Sequence, residues 1–348
     1  MKICFYFELI IESMILVTGG TGFLGSHLLL FLLRKEKKVR AIYRNPISLQ
    51  KTKHLFSLYH PNPQEMFDQI EWIHADITNI TELDEVFEGI EKVYHTAAIV
   101  DVTSDKTGKM ELVNVEGTKN MLQYSIDHHI KKFLHVSSIA ALGGFDNPIT
   151  EKTYWSWKEN SGEYARTKFL SEMEVWRATQ EGLEAVIINP SVILGAGFWQ
   201  EGTGQIFNKV EKGFKYYTQG VTGFVDVWDV VKAMYQLMES EIINDSFIVS
   251  AENLSYLELL ENIARSLNKK KPTIELKPWM FTPMKPLNFI SKRLFGKNVL
   301  EPSMINSLFS KSYYSSDKLK ESLHFQFIPI ESSINNIAEK YIKNRKKQ

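Results

Sequence analysis

The feature that most constrains the fold is a run of glycines between residues 18 and 25, TGGTGFLG. It follows a short, continuously apolar run, Met14–Val17, and it leads into the stretch Gly25–Leu33, which is apolar nearly all round. A short run without polar residues is typical of a strand buried on both faces of a parallel sheet. Glycines allow a tight turn after such a strand and close packing of the next helix. The order of strand, glycine turn and helix therefore predicts the first βαβ unit of a parallel sheet.

The glycine run is also suited to bind phosphate. A helix N-terminus presents backbone N–H groups and the positive end of its dipole to an anion. Glycine lets the backbone approach a pyrophosphate closely, and the position near the start of a βαβ series favours a dinucleotide site over a purely structural turn. The residues expected to contact the cofactor here are Gly19, Thr21, Gly22, Phe23, Leu24 and Gly25.

Strand-like runs alternate with helical patterns through the first half of the chain. This alternation indicates right-handed βαβ units and an α/β fold with a Rossmann-type, doubly wound parallel sheet. Helices are expected at Thr81–Phe87, Lys109–His128 and Gly162–Gln180. Further strands are expected at Val39–Tyr43, Ile70–His74, Val93–Thr96, Phe133–Val136, Ala185–Ile188 and Phe247–Ser250.

The second half of the chain is organised differently, because the alternation loosens after Pro190. We expect a smaller, mostly helical and loop-rich substrate lobe that covers the carboxyl edge of the sheet. The end of the tail, Lys343–Lys347, is expected to be solvated and frayed. The predicted division is an N-terminal extension at 1–13, a Rossmann domain at 14–190 with 221–250 contributing to its sheet, a substrate lobe at 191–220 and 251–330, and a helical, basic tail at 331–348.

Composition argues against several partners. Lys plus Arg and Asp plus Glu both number 41, so the formal net charge of zero gives no reason to expect nucleic acid or an anionic membrane. No stretch reaches the roughly 20 apolar residues that a spanning helix needs. The single cysteine, Cys4, allows no intrachain disulfide and no cysteine-based zinc cluster. We therefore predict a cytoplasmic protein without a metal site.

The end of the second strand bears on the choice of dinucleotide. A cofactor with a free 2′-hydroxyl is usually held there by Asp or Glu. This chain has Tyr43 and Arg44 instead, and a guanidinium can pair with a 2′-phosphate and stack on adenine. The pattern favours NADP (NADPH), with NAD as the alternative if Arg44 is simply solvated.

Tyr164 and Lys168 are the candidate catalytic pair. Residues four apart on a helix share a face, so the phenol and the ammonium project to the same place. An unperturbed tyrosine has a pKa of about 10, and a nearby ammonium together with an oxidised nicotinamide stabilises phenolate and lowers that pKa. Tyr164 can then act as general acid or base on a carbonyl or hydroxyl oxygen. The alternative is an ordinary surface pair of Tyr and Lys.

These motifs together resemble the extended short-chain dehydrogenase/reductase family, or NAD-dependent epimerase/dehydratase superfamily. The spacing of Gly19, Gly22 and Gly25 is similar to its TGxxGxxG loop, and the resemblance runs from Met14 to about Ile330. Residues 138–143 and 313–327 look most like dihydroflavonol-reductase-like members. Relatives often dimerise through the helices that here carry Asn114 and Tyr164, so the resemblance implies a possible homodimer.

The resemblance also implies roles for further residues. Ser138 would hydrogen-bond the substrate oxygen, with Ser137 as the alternative because the register at a strand end is open. Asn114 would brace the site or relay protons through water, unless it is only a capping or packing amide. The implied cofactor contacts outside the glycine run are Arg44, Asp76, Ile77, Ala97, Tyr164, Lys168 and Pro190.

Two observations bear on the substrate. Thr222 stands where nucleotide-sugar epimerases and dehydratases tend to have an arginine that clamps the substrate diphosphate. A series of aromatic residues suits a ring-containing or acyl-chain carbonyl compound, although such residues can equally belong to the core. These candidates are Phe145, Tyr154, Trp155, Trp157, Phe198 and Trp199.

The prediction is an NADP(H)-dependent oxidoreductase that transfers hydride between the nicotinamide and a carbonyl or hydroxyl group of a medium-sized, partly apolar substrate. One alternative is an NAD-dependent sugar-nucleotide epimerase or dehydratase. Another is a non-catalytic dinucleotide sensor, although the intact Ser138, Tyr164 and Lys168 argue against it. A membrane-associated steroid-type dehydrogenase is suggested by the apolar stretch Trp279–Leu294, whose Lys and Pro content favours a surface helix or core segment instead.

Overall fold

The computed structural model describes residues 14–100, 108–143, 148–157, 162–281 and 302–345, with only the backbone described for 302–304. The predicted extension at 1–13, with Cys4, lies outside these residues, and so does Phe145.

The strands of the described chain form one large sheet and two small ones. Seven parallel strands make the large sheet, in the order β10-β6-β5-β4-β1-β2-β3. The predicted Rossmann-type fold class is confirmed. The strands are β1 Met14–Thr18, β2 Lys38–Tyr43, β3 Ile70–His74, β4 Ile90–His95, β5 Lys132–Val136, β6 Ala185–Pro190, β7 Val192–Leu194, β8 Tyr216–Tyr217, β9 Val221–Asp226, β10 Asp245–Val249, β11 Glu252–Ser255 and β12 Ile274–Glu275.

Helices cover both faces of the large sheet. The first strand shows why its sequence is apolar throughout: Ile15 and Val17 pack into one core cluster, whereas Leu16 packs into another. The α-helices of the described residues are α1 Phe23–Arg34, α2 Pro46–Ser57, α3 Pro63–Asp68, α4 Asp84–Phe87, α5 Lys109–Glu111, α6 Gly117–Asp127, α7 Glu163–Gln180, α8 Gly204–Glu211, α9 Val227–Glu239, α10 Tyr256–Ser266, α11 Pro302–Phe309, α12 Asp317–Leu323 and α13 Ile330–Arg345.

The order of the strands fixes where a ligand can bind. The chain runs outward from β1 to β3 and then crosses back to β4, which lies on the other side of β1. In open α/β sheets, ligands bind beyond the carboxyl ends of the strands at such a reversal. The crevice therefore lies above β1 and β4, where the glycine run and residues 96–99 meet.

Several helices differ from the sequence-based predictions. The segment predicted as the helix Thr81–Phe87 is a 3₁₀ turn, Ile80–Glu82, followed by the short α4. Helices α2 and α3 were not predicted. The signal for α2 is local, since the Asn45 side chain accepts from the N–H of Ile47 and Pro46 occupies the first turn.

The predicted helix Lys109–His128 is interrupted. A π-helical segment, Leu112–Glu116, separates α5 from α6. Within it, the Asn114 carbonyl accepts a hydrogen bond from Thr118 Oγ1 at 2.7 Å. Widened turns of this kind occur frequently at functional sites, and here the segment contains Asn114.

The substrate lobe contains more strand than predicted. Strand β9 pairs with β7 and β11 in a three-stranded sheet, so of the predicted contribution of 221–250 only β10 joins the large sheet. Strand β9 stays out of the large sheet because it pairs in parallel with β7, which begins two residues after Pro190.

The C-terminal tail is docked rather than frayed up to the last described residue. Helix α13 buries Ile334, Ile337 and Tyr341. The predicted fraying at Lys343–Lys347 is wrong for its described part, because Arg345 forms an ion pair with Glu211 of α8. Within the described ranges, no helix combines the length and the apolarity that crossing a bilayer requires.

Candidate active site

The glycine loop is shaped by contacts that leave no room for side chains. Gly19 has a φ of +66°, and a Cβ there would lie 2.7 Å from the backbone nitrogen of Ala97. A Cβ on Gly25 would lie 2.2 Å from the carbonyl oxygen of Gly19. The loop closes on itself, with the Gly22 N–H donating to the Gly19 carbonyl at 2.9 Å. Helix α1 can therefore start directly against the end of β1.

The N-terminus of α1 is suited to an anion. Gly22 is the capping residue, no side chain caps this end, and the first turn contains no acidic residue. An uncapped, uncharged helix N-terminus attracts phosphate through its N–H groups and dipole. These residues thus fit the pyrophosphate of a dinucleotide.

A cavity of about 220 Å³ lies beside the loop. Arg44 is half-exposed at its edge and lies 3.6 Å from Asp76, measured from Nη1 to Oδ2. Burial opposes ionisation of Asp76, but hydrogen bonds from Thr78 and the nearby Arg44 guanidinium lower the pKa of its carboxyl overall. This ion pair was not predicted. The predicted cofactor residues that line this cavity are Gly19, Thr21, Gly22, Arg44, Asp76, Ile77 and Ala97.

A second cavity, of about 610 Å³, continues from the other side of the glycine loop. Its size is within the range of small-molecule sites. It brings together residues that are far apart in the chain, from β1–α1, the end of β5, α7 and the end of β6. The predicted residues that line it are Gly19, Gly22, Phe23, Leu24, Gly25, Ser138, Tyr164, Lys168 and Pro190.

Lys168 lines this cavity and is almost completely buried. Its Nζ donates to the carbonyl oxygen of Val136 at 2.7 Å. Burial lowers the pKa of Lys168 to about 8, while the negative charge of Glu172 acts in the opposite direction. The ammonium is therefore held in place by the end of β5.

Tyr164 differs from the sequence-based expectation in one respect. Burial raises the pKa of its phenol, and the Ser138 side chain only partly opposes this effect. The expected lowering of this pKa by Lys168 is not found in the protein alone, because desolvation of the phenol outweighs every other contribution. The phenol of the protein is thus poised as a proton donor.

Ser138 is placed to donate a hydrogen bond. Its Oγ accepts from the N–H of Ala140 at 3.1 Å, which leaves the hydroxyl proton for another acceptor. Both Ser137 and Ser138 line the cavity. They differ in their neighbours, since Ser138 lies against Tyr164 and Ser137 lies against Glu172.

Asn114 is buried behind the cavity and is not among its lining residues. Its Oδ1 accepts from the N–H of Ile99 at 2.7 Å. Its Nδ2 donates to the Ile99 carbonyl at 3.0 Å and to Thr167 Oγ1 at 3.1 Å. The amide thus connects the π-helical segment to the strand-end segment 96–99 and to α7.

A buried hydrogen-bonded chain that the sequence analysis missed supports this arrangement. His95 contacts Thr18 Oγ1 through Nδ1 at 2.8 Å and Thr118 Oγ1 through Nε2 at 2.9 Å. Burial, and secondarily Lys168, lowers the pKa of His95 to about 3, so the ring is neutral. The sequence signal for this hydrogen-bonded chain was that two polar residues, Thr18 and His95, stand at the ends of predicted buried strands.

The predicted aromatic lining is wrong for Phe198 and Trp199. They line a separate cavity between α2, α8 and α13, because Phe198 packs edge-on against Phe23 and Trp199 packs against Tyr341. Tyr154, Trp155 and Trp157 are not among the lining residues of the 610 Å³ cavity either. Other residues line it instead, and we call the following seven its outer wall: Val100, Ile139, Val192, Ile193, Thr222, Tyr256 and Tyr314.

A parallel sheet with this glycine loop and this cavity defines the class of NAD(P)-binding Rossmann enzymes. A family model described as "NAD dependent epimerase/dehydratase family" matches residues 15–249. The chain belongs to this family. It is an NAD(P)-dependent enzyme of the extended short-chain dehydrogenase/reductase type, as the sequence predicted.

Similar proteins include reductases. Tetraketide alpha-pyrone reductase 2 of Arabidopsis thaliana is 30% identical over 263 residues, covering 71% of this chain and 80% of that protein. A putative dihydroflavonol 4-reductase of Synechocystis sp. is 26% identical over 326 residues and covers 88% of each chain. The crystal structure of gox2253 superposes with a TM-score of 0.80 at 25% identity, covering 96% of this chain and 98% of that one. The similarity to dihydroflavonol-reductase-like members is confirmed.

Proposed function

We propose that this protein is an NADPH-preferring oxidoreductase that interconverts a carbonyl and a hydroxyl group on a medium-sized, partly apolar substrate. The observation that carries the proposal is that Ser138, Tyr164 and Lys168 line one cavity with the glycine loop. A proton donor, a hydrogen-bond donor and an ammonium thus adjoin the place where a dinucleotide fits.

In the proposed mechanism the glycine loop and the α1 N-terminus would hold the pyrophosphate of the dinucleotide, and Pro190 would contact its nicotinamide. When bound, the cofactor would supply or accept a hydride. Tyr164 gives the proton of its phenol oxygen to the carbonyl oxygen in reduction and takes a proton from the hydroxyl in oxidation. Ser138 donates a hydrogen bond to the same oxygen, and the Lys168 ammonium stabilises phenolate after the proton has left.

The preference for NADPH is proposed from Arg44. The end of β2 carries no carboxylate, and the half-exposed guanidinium at the edge of the 220 Å³ cavity can pair with a 2′-phosphate. Such a phosphate would have to share Arg44 with Asp76, so the preference is expected to be moderate. We retain NAD as the alternative cofactor.

The substrate class is proposed from the outer cavity wall. Valine and isoleucine side chains dominate it, and no arginine is among its described lining residues. Thr222 lines the cavity itself, at the position where the sequence analysis looked for a diphosphate-binding arginine. These features favour a carbonyl or alcohol without a diphosphate over a sugar nucleotide, although the family also includes epimerases and dehydratases by its description.

The test combines binding and turnover. We expect purified protein to bind NADPH more tightly than NADH and to reduce members of a panel of benzaldehyde, cinnamaldehyde and acetophenone derivatives. Replacing Tyr164→Phe should lower kcat about 1000-fold and change the NADPH dissociation constant less than about 2-fold, because only proton transfer is removed. Unchanged turnover in this variant would refute the role of Tyr164. Homodimerisation through the helical segments that carry Asn114 and Tyr164 remains a prediction, and so does a cytoplasmic location.

A further inference from the structure

Glu172 is a buried carboxylate that the proposed mechanism does not use. It lies on α7, one helical turn after Lys168, and only 6% of its surface is exposed. Acidic side chains are almost never this buried unless they are paired. Its position therefore needs a physical explanation.

Hydrogen bonds connect Glu172 to the ends of two strands. Asn189 Nδ2 donates to Glu172 Oε1 at 2.5 Å, and the same amide nitrogen donates to the carbonyl oxygen of Ser138 at 3.1 Å. The Ser137 side chain lies against the carboxylate as well. One carboxylate thus ties the helix that carries Tyr164 and Lys168 to the end of β6, and through Asn189 to the residue that carries the Ser138 hydroxyl.

The charges around Lys168 add a second argument. His95 and His135 are both buried beside Lys168, and burial and the ammonium lower the pKa of each ring, so both are neutral. Tyr164 is neutral as well, because burial raises its pKa. Glu172 is the group whose charge acts on Lys168 in the favourable direction, raising its pKa against burial. Burial raises the pKa of the Glu172 carboxyl, and the Ser137 and Asn189 side chains and the charge of Lys168 oppose this effect by favouring the ionised form.

We propose that Glu172 is a positioning residue, which holds α7 against the ends of β5 and β6 and compensates the buried charge of Lys168. Its effect on turnover rests on the proposed function. Its electrostatic coupling to Lys168 does not, and can be measured without any cofactor or substrate.

The direct test is a double-mutant cycle read by thermal unfolding at pH 7. Glu172→Gln keeps an acceptor for Asn189 but removes the charge, so it should lower Tm by about 5 °C in the wild-type background. In a Lys168→Met background, where no ammonium needs compensation, the same change should lower Tm by less than about 1 °C or raise it. Equal shifts in both backgrounds would overturn the coupling.

A pH profile tests the consequence for turnover of the carbonyl compound that the wild type reduces best. Loss of the Glu172 charge should move the alkaline limb of the kcat profile to lower pH by about half a unit or more. Glu174→Gln is the matched control, because Glu174 lies on the same helix and pairs with Arg177, and it should leave the limb unchanged. A uniformly lower kcat without a shift of the limb would overturn the electrostatic role.

If Glu172→Gln does not fold, the pH profile is measured with Glu172→Asp instead. It keeps the charge and shortens the reach to Asn189, so we expect the wild-type alkaline limb with a kcat lowered about 5-fold or more. A wild-type kcat would overturn the positioning role. Failure of the proposed function would appear separately, as full turnover in Tyr164→Phe.

Discussion

The two ends of the crevice are built in different ways. At the glycine loop, one contiguous segment, 18–25, forms the site through its backbone, and the contacts of Gly19 and Gly25 exclude a side chain at either position. At the outer end, side chains from separate segments converge, among them Val100, Thr222 and Tyr314. In the glycine loop the backbone conformation excludes other residue types, whereas at the outer wall single side chains can be replaced without changing the backbone. The comparison suggests that cofactor binding is sensitive to single substitutions and that substrate choice is adjustable.

The largest expected effect is at the glycine loop. Gly25→Ala should weaken NADPH binding about 100-fold, because the new Cβ would lie 2.2 Å from the Gly19 carbonyl and displace the loop from the α1 N-terminus. Fluorescence titration with NADPH measures this. Gly182→Ala is the control, since it strains a remote turn with a φ of +97° in open space and should affect stability alone. Equal losses of affinity in both variants would contradict the account.

A smaller effect is expected at Arg44, where a side chain rather than the backbone would contact the cofactor in the proposed function. Arg44→Ala should weaken NADPH binding about 10-fold to 30-fold and leave NADH within about 2-fold, because one charge-assisted contact to the 2′-phosphate is lost. Calorimetric titration with both dinucleotides measures the ratio. Arg177→Ala, on α7 and paired with Glu174 and Glu181, should change neither affinity. A parallel loss of NADH affinity would show that Arg44 acts on the loop and not on the phosphate.

The pH dependence of reduction tests the roles of Lys168 and Tyr164, which line the same cavity as the glycine loop and the outer wall. Burial lowers the pKa of Lys168 to about 8, so the ammonium is present below pH 8 and is lost as the pH rises above it. Tyr164, whose pKa burial raises, stays protonated through this range. At saturating NADPH we expect kcat to fall about 10-fold for each pH unit above 8. A rate that stays level to pH 10 would show that Lys168 need not be charged.

The smallest effect is expected at the outer wall. Thr222→Val removes a hydroxyl and keeps the volume, so KM for an apolar carbonyl compound should change less than about 3-fold, with the NADPH affinity unchanged. Steady-state kinetics with two ketones of different polarity measure this. If turnover instead fell by about two orders of magnitude or more, Thr222 would belong to the catalytic machinery, which would contradict the comparison of the two regions.

The sequence predicted the parts of the molecule that depend on local patterns. Apolar runs identified the strands of the large sheet, and glycine spacing identified the loop, because both follow from rules that act over a few residues. The predictions failed where distant packing decides the outcome. Phe198 and Trp199 were predicted to line the substrate cavity because they are aromatic. Their contacts with Phe23 and Tyr341 place them at a separate cavity instead.

Buried charge was also not predicted from the sequence. Glu172 follows Lys168 by the same spacing that separates Lys168 from Tyr164, so the three could have been grouped on one helix face. The burial of Glu172 and its hydrogen bond with Asn189 depend on tertiary structure, so the local sequence pattern could not predict them. The raised pKa of Tyr164 likewise follows from desolvation, which no motif reports.

The central claim, that hydride moves between NADPH and a substrate carbonyl at Tyr164, is tested most directly by isotope transfer. The protein is incubated with a reducible carbonyl compound and NADPH that carries deuterium at both C4 positions of the nicotinamide, and the alcohol product is analysed by mass spectrometry. We predict one deuterium on the carbinol carbon with the wild type and almost none with Tyr164→Phe in the same time. Product without deuterium, or equal incorporation by both proteins, would contradict the claim.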